Sequence, residues 1–193
     1  MELSRTAYVI LGMVRLGKRT GYEIKGLVDV STRFFWAASY GQIYPELKRL
    51  EEAGLIEGSA DDSDGRRRRA YELTGAGEAA LREWLSSDGP LVHELRHEGV
   101  LKFFFADALE PQEQLELLRR VREEHERLSE QLRAIRPGAE STSGERGVEY
   151  PLLTLEWGIA LNEFNAGWCE RMERRIEERL AADEERPAAE RAG

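Results

Sequence analysis

The sequence has only one cysteine, Cys169, three histidines and six prolines among its 193 residues. A single cysteine excludes an internal disulfide and a cysteine-rich metal site. The longest apolar run near the N-terminus, Ala7–Val14, is too short to span a bilayer, and no small-residue cleavage site follows it. These absences predict a globular, cytoplasmic protein with no membrane segment, no bound metal and no cofactor.

An excess of basic charge is also missing, because the net charge is −9. The acid is concentrated in the second half: residues 1–86 hold 13 Lys and Arg and 13 Asp and Glu, whereas residues 87–193 hold 15 and 24. Phosphate repels an acidic protein as a whole. A nucleic-acid-binding surface is therefore expected only as a local patch in the first half.

Helix-capping signals predict four helices in the first half, each beginning after a hydroxyl side chain. Gly17 and Gly54 end the first and the third of these helices. Between the third and fourth helices, segments 55–59 and 69–73 flank an Asp-Gly turn and predict a β-hairpin. The capping residues are Ser4, Thr20, Ser39 and Thr74.

The second half is predicted to be helical apart from one loop. One helix covers about 95–108, another runs from Pro111 to about 135, and the Gly- and Ser-containing stretch 137–147 is predicted as a loop. The last helix, about 151–182, carries apolar residues at steps of three and four. A helix of that length is expected to be covered by a partner chain. The residues assigned to this homodimer contact are Leu161, Phe164, Trp168, Met172 and Ile176.

The order of elements in the first half is typical of a winged helix-turn-helix, in which the third helix enters the DNA major groove. The break at Asp88-Gly89-Pro90 marks a domain boundary. The predicted fold is mainly α. It has an N-terminal winged helix-turn-helix DNA-binding domain with a small β-hairpin wing over 1–87, an all-α dimerisation and effector domain over 88–182, and a frayed tail over 183–193.

The third helix has two faces when its residues are placed about 100° apart. Ile43, Leu47 and Leu50 predict a core face, and Tyr44 and Lys48 lie on the opposite side. A Gln side chain can pair with an adenine edge, and Tyr and Lys side chains can donate hydrogen bonds to phosphates. A glycine permits close approach of the helix backbone to DNA. The residues assigned to DNA contact on this helix are Ser39, Tyr40, Gly41, Gln42, Tyr44, Lys48 and Arg49.

Four consecutive arginines, residues 66–69, lie on the hairpin. Flexible cations at a wing tip reach neighbouring phosphates or a narrow minor groove. Alternatively, the run is a solvated turn whose charge is balanced by the aspartates at 61, 62 and 64. Because a recognition-helix pattern precedes it, we assign Arg66, Arg67 and Arg68 to DNA contact.

The segment Ser39–Glu51, SYGQIYPELKRLE, resembles the signature of PadR-family transcriptional regulators. Segments 21–24, 54–56 and 71–74 follow in the family's order, and segments 101–106 and 154–158 are similar to the C-terminal region of its longer subfamily. The resemblance implies a homodimeric DNA-binding regulator, usually a repressor released by a small ligand, with C-terminal helices that make the dimer. It implies that Tyr44 is the family's DNA-contacting tyrosine, and it names no effector.

Two other functions stay open at this stage. His93-Glu94-Leu95-Arg96-His97 matches the H-E-x-x-H motif of zinc hydrolases, in which two histidines one turn apart bind the metal and the Glu is the base. That chemistry requires a third ligand, and the sequence offers none at a typical distance except the unremarkable Glu116. The second alternative is a helical interaction protein that does not bind DNA.

A regulator of this kind is expected to bind a palindromic double-stranded operator and a small aromatic or amphipathic effector. The second half is rich in aromatic residues, and pockets are commonly apolar with few polar groups. We predict the effector near Phe104 or Trp157. Cys169 is expected to be buried or inert, because redox-sensing thiols are exposed and have a low pKa.

Overall fold

The computed structural model describes residues 3–61, 68–93, 96–147 and 149–185. The chain divides into two compact units, Met1–Val92 and His93–Gly193. Among the described residues, no helix is both long enough and apolar enough to span a bilayer.

The first unit has the predicted winged-helix order, so the fold class is confirmed. Ser4 Oγ accepts from the Ala7 amide at 3.0 Å and Thr74 Oγ1 from the Gly77 amide at 3.1 Å, as their capping roles predict. A short 3₁₀ turn, Thr32–Phe34, precedes the third helix. The elements are α1 (Arg5–Arg15), α2 (Gly21–Val30), α3 (Tyr40–Glu52), β1 (Ile56–Asp61), β2 (Arg68–Leu73) and α4 (Gly75–Leu85).

The hairpin is tied to the beginning of α2. β1 and β2 pair antiparallel, from Ile56 opposite Leu73 to Asp61 opposite Arg68. Thr20 forms an isolated antiparallel bridge with Ala70, and the next amide along β2 donates to the Arg19 carbonyl at 2.7 Å. Because Thr20 also caps α2, the same short segment fixes the helix and the base of the wing.

One apolar core holds the first unit together. Ile43, Leu47 and Leu50 of α3 are at most 1% exposed and pack against buried side chains of α1 and α2. Burial of each such side chain contributes about 1.5–3 kcal/mol relative to exposure. The inner face of α3 is therefore the predicted one, and it determines which residues point outward.

The second unit consists of α5 (Glu98–Phe104), a 3₁₀ turn (Ala106–Ala108), α6 (Pro111–Arg146) and α7 (Tyr150–Glu185). The helix predicted over 95–108 is thus shorter, because His97 caps it and the turn interrupts it.

The loop predicted over 137–147 is wrong, because α6 continues to Arg146 with Pro137 inside it. An interior proline removes one backbone hydrogen bond and is unfavourable in a helix. Packing against α7 offsets this cost: Arg136, one residue earlier, bonds both Glu140 of α6 and Glu156 of α7. The helix ends only at Gly147, whose φ of 62° is the left-handed conformation that favours glycine.

An apolar seam and a row of ion pairs join α6 to α7. Leu115 and Leu118 of α6 pack with Cys169 and Ile176 of α7 at the centre of the seam. Along its flank, each arginine belongs to α6 and each glutamate to α7. We call this row the ionic ladder; its pairs are Arg119–Glu177, Arg122–Glu173, Arg133–Glu163 and Arg136–Glu156.

The five residues assigned to a dimer contact do not share one environment. Ile176 is buried in the chain's own core, and Trp168 and Met172 pack against that core, whereas Leu161 and Phe164 are 40% and 62% exposed. At about 100° per residue, Ile176 lies roughly 120° around the helix from Phe164. The stripe therefore turns away from solvent along α7, and Ile176 lies in the chain's own core, whereas Leu161 and Phe164 are on the surface.

Candidate nucleic-acid interface

The outward face of α3 is exposed along its whole length. Tyr40 is 46% and Tyr44 is 52% exposed, whereas Ile43 and Leu47 of the same helix are buried. The helical period places these side chains on one continuous strip, as a groove-binding helix requires. All seven predicted α3 residues are exposed, with Gln42 and Arg49 on a separate flank of the helix: Ser39, Tyr40, Gly41, Gln42, Tyr44, Lys48 and Arg49.

Two side chains of α2 extend the strip, and their part in it was not predicted from the sequence. The Lys25 Nζ lies 5.2 Å from the centre of the Tyr40 ring, and that ring stacks on Tyr44 with centres 6.0 Å apart. The guanidinium carbon of Arg68 lies 6.0 Å from the centre of the exposed Tyr22 ring. We call these five residues the contact surface; it joins α2, α3 and β2.

The position of Tyr44 depends on a glycine. A Cβ added at Gly21 would lie 2.8 Å from Cε1 of Tyr44 and 3.3 Å from Cδ1 of Leu47. Only glycine lets the first turn of α2 approach α3 so closely. The ring of Tyr44 is thereby supported from below while its outer edge stays exposed.

The cations of α3 are paired with carboxylates of the same helix. Lys48 Nζ lies 3.6 Å from Glu52, and Arg49 Nη1 lies 3.3 Å from Glu46. Glu46 is buried and also accepts from Ser4 Oγ at 2.9 Å. Exposed ion pairs contribute only about 0–1 kcal/mol. Both members of the Lys48–Glu52 pair are exposed, so a phosphate oxygen can replace Glu52 as the partner of Lys48 at little cost.

The capping role of Gln42 limits how it could bind a base. Its Oε1 accepts from the amide and the hydroxyl of Ser39 at 2.9 and 3.1 Å. Pairing with adenine through both atoms of the amide requires that oxygen as an acceptor. The cap must open before Gln42 can make that pair.

The wing arginines divide into two kinds. Arg69 donates to Glu51 of α3, and this hydrogen bond raises the pKa of Arg69 further above its usual value. Arg69 thus links the hairpin to α3, while Arg68 lies by Tyr22 on the contact surface. The predicted contacts Arg66 and Arg67 lie outside the described residues.

The H-E-x-x-H motif does not have zinc-hydrolase geometry. His93 is exposed and outside a helix, and α5 begins only after His97. The two His97 ring nitrogens already have partners, since Nε2 contacts His125 and Nδ1 accepts from Val100. Within the described ranges, no three His, Cys, Asp or Glu side chains are grouped as metal ligands would be. Glu94 lies outside those ranges.

Family comparisons agree with this geometry. The sequence model of the Transcriptional regulator PadR-like family matches residues 10–83, which contain the contact surface, and that of Virulence activator alpha C-term matches residues 95–177. Residues 10–83 are thus a domain of the PadR-like family of transcriptional regulators. The second match is that of a longer PadR subfamily with a helical C-terminal region.

Among relatives, the chain is 34% identical over 113 residues to the negative transcriptional regulator PadR of Bacillus subtilis. That alignment covers 58% of this chain and 62% of the relative, so less than two thirds of its length. The crystal structure of Bacillus subtilis PadR with operator DNA matches with a TM-score of 0.81 at 25% identity, over 91% of this chain and 99% of that one. The same regulator with p-coumaric acid matches with a TM-score of 0.73, also at 25% identity and over the same shares of both chains.

The sequence does contain a signal for Tyr22 and Lys25, the two α2 residues of the contact surface that were not predicted. Tyr22 and Lys25 follow the Thr20 capping box at positions two and five, so both lie within one turn and a half of a helix start. Because the box fixes where α2 begins, it also determines which of its side chains point outward. The PadR-like segment 21–24 contains Tyr22, but the motif indicates the family and not the direction of that side chain.

Proposed function

We propose that this PadR-family protein is a sequence-specific DNA-binding regulator, which occupies a palindromic operator as a homodimer and represses transcription until a small ligand releases it. The observation that carries this proposal is the outward face of α3, exposed along its length and continuous with Lys25 and Arg68. The similarity to a regulator solved on its operator supports it.

The contact surface suits DNA in its chemistry. Tyr hydroxyls and Lys and Arg cations donate to phosphate oxygens, which fixes the helix in the groove. Tyr44 and Lys48 are placed to make such contacts, and Gly41 lets the backbone approach. Arg66, Arg67 and Arg68 would contact the flanking phosphates or minor groove. We assign this role to residues 1–87 as a DNA-binding domain.

A second copy of the chain is the proposed partner of α7, within a dimerisation and effector domain over 88–182 followed by a tail over 183–193. A stripe at steps of three and four is 40–78% exposed along the first half of α7. A palindrome presents two equivalent half-sites, so its protein requires two-fold symmetry. The exposed stripe consists of Tyr150, Leu153, Trp157, Leu161 and Phe164.

The proposed effector is a small aromatic acid. Bacillus subtilis PadR has been solved with p-coumaric acid, and the second unit of this chain exposes Phe104 at 78% and Trp157 at 51%. Phe104 lies outside the α7 stripe, whereas an effector at Trp157 would lie at the dimer contact. Planar ligands stack on such rings. If the effector weakens operator binding, the operator must weaken effector binding by the same factor. Tryptophan fluorescence titration with aromatic acids, with and without operator, measures both.

Selection of duplexes from a random pool with the full-length protein tests the function. We expect a two-fold symmetric motif to be enriched. Tyr44→Ala and Lys48→Ala should each weaken binding to it by about 1–3 kcal/mol. The matched control is Arg82→Ala, which removes an exposed cation from α4 and should leave affinity unchanged. Enrichment of no motif would contradict the proposal and favour a helical interaction protein.

The cellular role follows from this function. Because a transcriptional regulator acts where the chromosome lies, we place the protein in the cytoplasm and assign it no catalytic activity. Purified protein should therefore bind DNA without stoichiometric zinc. Zinc that co-purifies in stoichiometric amounts and supports hydrolysis would instead favour the enzyme alternative.

A further inference from the structure

A continuous chain of hydrogen bonds connects α5, α6 and α7. His97 Nε2 lies 2.8 Å from His125 Nε2, and His125 Nδ1 lies 2.8 Å from Oδ1 of Asn162. At one end, Asn162 donates to the Gly158 carbonyl at 2.8 Å. At the other end, Nδ1 of His97 accepts from the Val100 amide at 3.2 Å, which caps α5.

These partners determine where each proton lies. The Val100 amide can only donate, so Nδ1 of His97 is unprotonated and its proton is on Nε2. That proton is donated to Nε2 of His125, which leaves the His125 proton on Nδ1, facing the Asn162 oxygen. The two rings are therefore neutral and in opposite tautomers. An added proton on either ring would set two N–H groups against each other.

We propose that the His97–His125 contact is a proton-sensitive clasp, which holds the beginning of α5 on α6 at neutral pH and releases it on mild acidification. His125 is 7% exposed, so the contact between the two rings is shielded from water. A charge on His97 would also stand at the N-terminus of α5, where the helix dipole disfavours cations. Both effects favour the neutral pair.

The two rings are surrounded by close packing of α5 on α6 and by ion pairs on the three helices. A Cβ at Gly99 would lie 2.5 Å from Val121, so α5 already approaches α6 closely. Several charged side chains of the three helices are joined in ion pairs. These pairs are Glu98–Lys102 on α5, Arg122–Glu126 and Glu124–Arg127 on α6, and Arg122–Glu173 and Arg133–Glu163 between α6 and α7.

The pH at which the clasp opens follows from the sign of the shift. Burial, and then the neighbouring His125, lower the pKa of His97 below its ordinary value of 6.5. As the pH falls, the released segment takes up a proton before the docked one does. The stabilisation is therefore fully present above about pH 6.5 and is lost as the pH falls from there through the lowered pKa.

Nitrogen-15 NMR of the full-length protein labelled at histidine tests the arrangement directly. At neutral pH we expect protonated Nε2 in His97 and protonated Nδ1 in His125. Amide hydrogen exchange at Val100 and Leu101, corrected for the intrinsic rate, should accelerate about tenfold between about pH 7.5 and about pH 5. The same tautomer in both rings, or unchanged protection across that range, would overturn the proposal.

Two variants separate the clasp from a general effect of acid. His97→Asn keeps an oxygen that can cap α5 but cannot titrate, so Val100 exchange should lose its pH dependence. His93→Asn removes the exposed histidine four residues earlier and should leave that dependence as in the wild type. Retention of the full acceleration in His97→Asn would exclude the clasp. The wild-type measurements decide the question if either variant fails to fold.

Discussion

The first turn of α2 reaches Tyr44 of α3 through Gly21, where an added Cβ would lie 2.8 Å from the tyrosine ring. Gly21 is buried, whereas the outer edge of the ring is exposed. Gly21 of α2 thereby controls the position of Tyr44, the side chain that we propose contacts DNA.

Gly21→Ala should weaken operator binding several-fold while the protein stays folded. The new methyl overlaps Cε1 of Tyr44, and overpacking of this kind costs about 1–3 kcal/mol or moves the ring. Fluorescence anisotropy with labelled operator measures the affinity, and circular dichroism monitors the fold. Gly26→Ala is the matched control, because that glycine lies in the same helix with nothing within 4 Å of its Cβ position. Equal affinity of both variants would refute the role of Gly21.

Replacing the wing arginines should reduce the salt dependence of DNA binding. For each phosphate that the variant no longer neutralises, the slope of log affinity against log salt should become shallower by about 0.9. Arg68→Ala alone tests the arginine that lies beside Tyr22, and the triple change at Arg66, Arg67 and Arg68 tests the whole wing. Affinities for operator and for random duplex should fall together. A slope unchanged in the triple variant would show that the run is a solvated turn.

Charged substitutions along α7 should have two different effects. Phe164→Glu alters an exposed position, so we expect folded monomers. Ile176→Glu places a carboxylate in the chain's own core, so we expect loss of about 3–5 kcal/mol or unfolding. Sedimentation equilibrium and thermal denaturation separate the two. A Phe164→Glu protein that still sediments as a dimer would exclude the exposed stripe as the interface.

The thiol of Cys169 should be inert in the native protein. Burial, followed by the nearby Glu173, raises the pKa of Cys169 to about 11. Because the thiolate is the reactive form, alkylation at neutral pH should be at least about a hundredfold slower than in denaturant. The rate should rise with pH up to that pKa. Native labelling as fast as in the denatured protein would show that the thiol is accessible.

The α3 faces could be predicted because a strong apolar period, the Ser39 capping box and the Gly54 stop fix the helix and its rotation. Pro137 shows the limit of such reasoning. Local signals indicate a loop there, but contacts with α7, more than a dozen residues later in the chain, keep α6 helical. Element boundaries set by distant packing cannot be obtained from local composition.

The residues predicted for the α7 stripe divide between surface and core for a geometric reason. Apolar residues at steps of three and four form a stripe whose direction rotates gradually around the helix axis. The sequence does not show which part of this stripe packs against the chain's own core. Phe164 and Ile176 belong to the same predicted stripe and have opposite environments. Tyr22 and Lys25 were missed because only a folded structure brings α2 alongside the outward face of α3.

The ionic ladder has a consequence for how copies of the chain can meet. Its arginines are all on α6 and its glutamates all on α7, so two α7 helices laid side by side along that flank would oppose carboxylate to carboxylate. Like charges placed opposite one another disfavour a partner, which is one of the two ways in which interfaces achieve specificity. The ladder would thus disfavour self-association through its own flank of α7 and leave the exposed aromatic stripe as the contact.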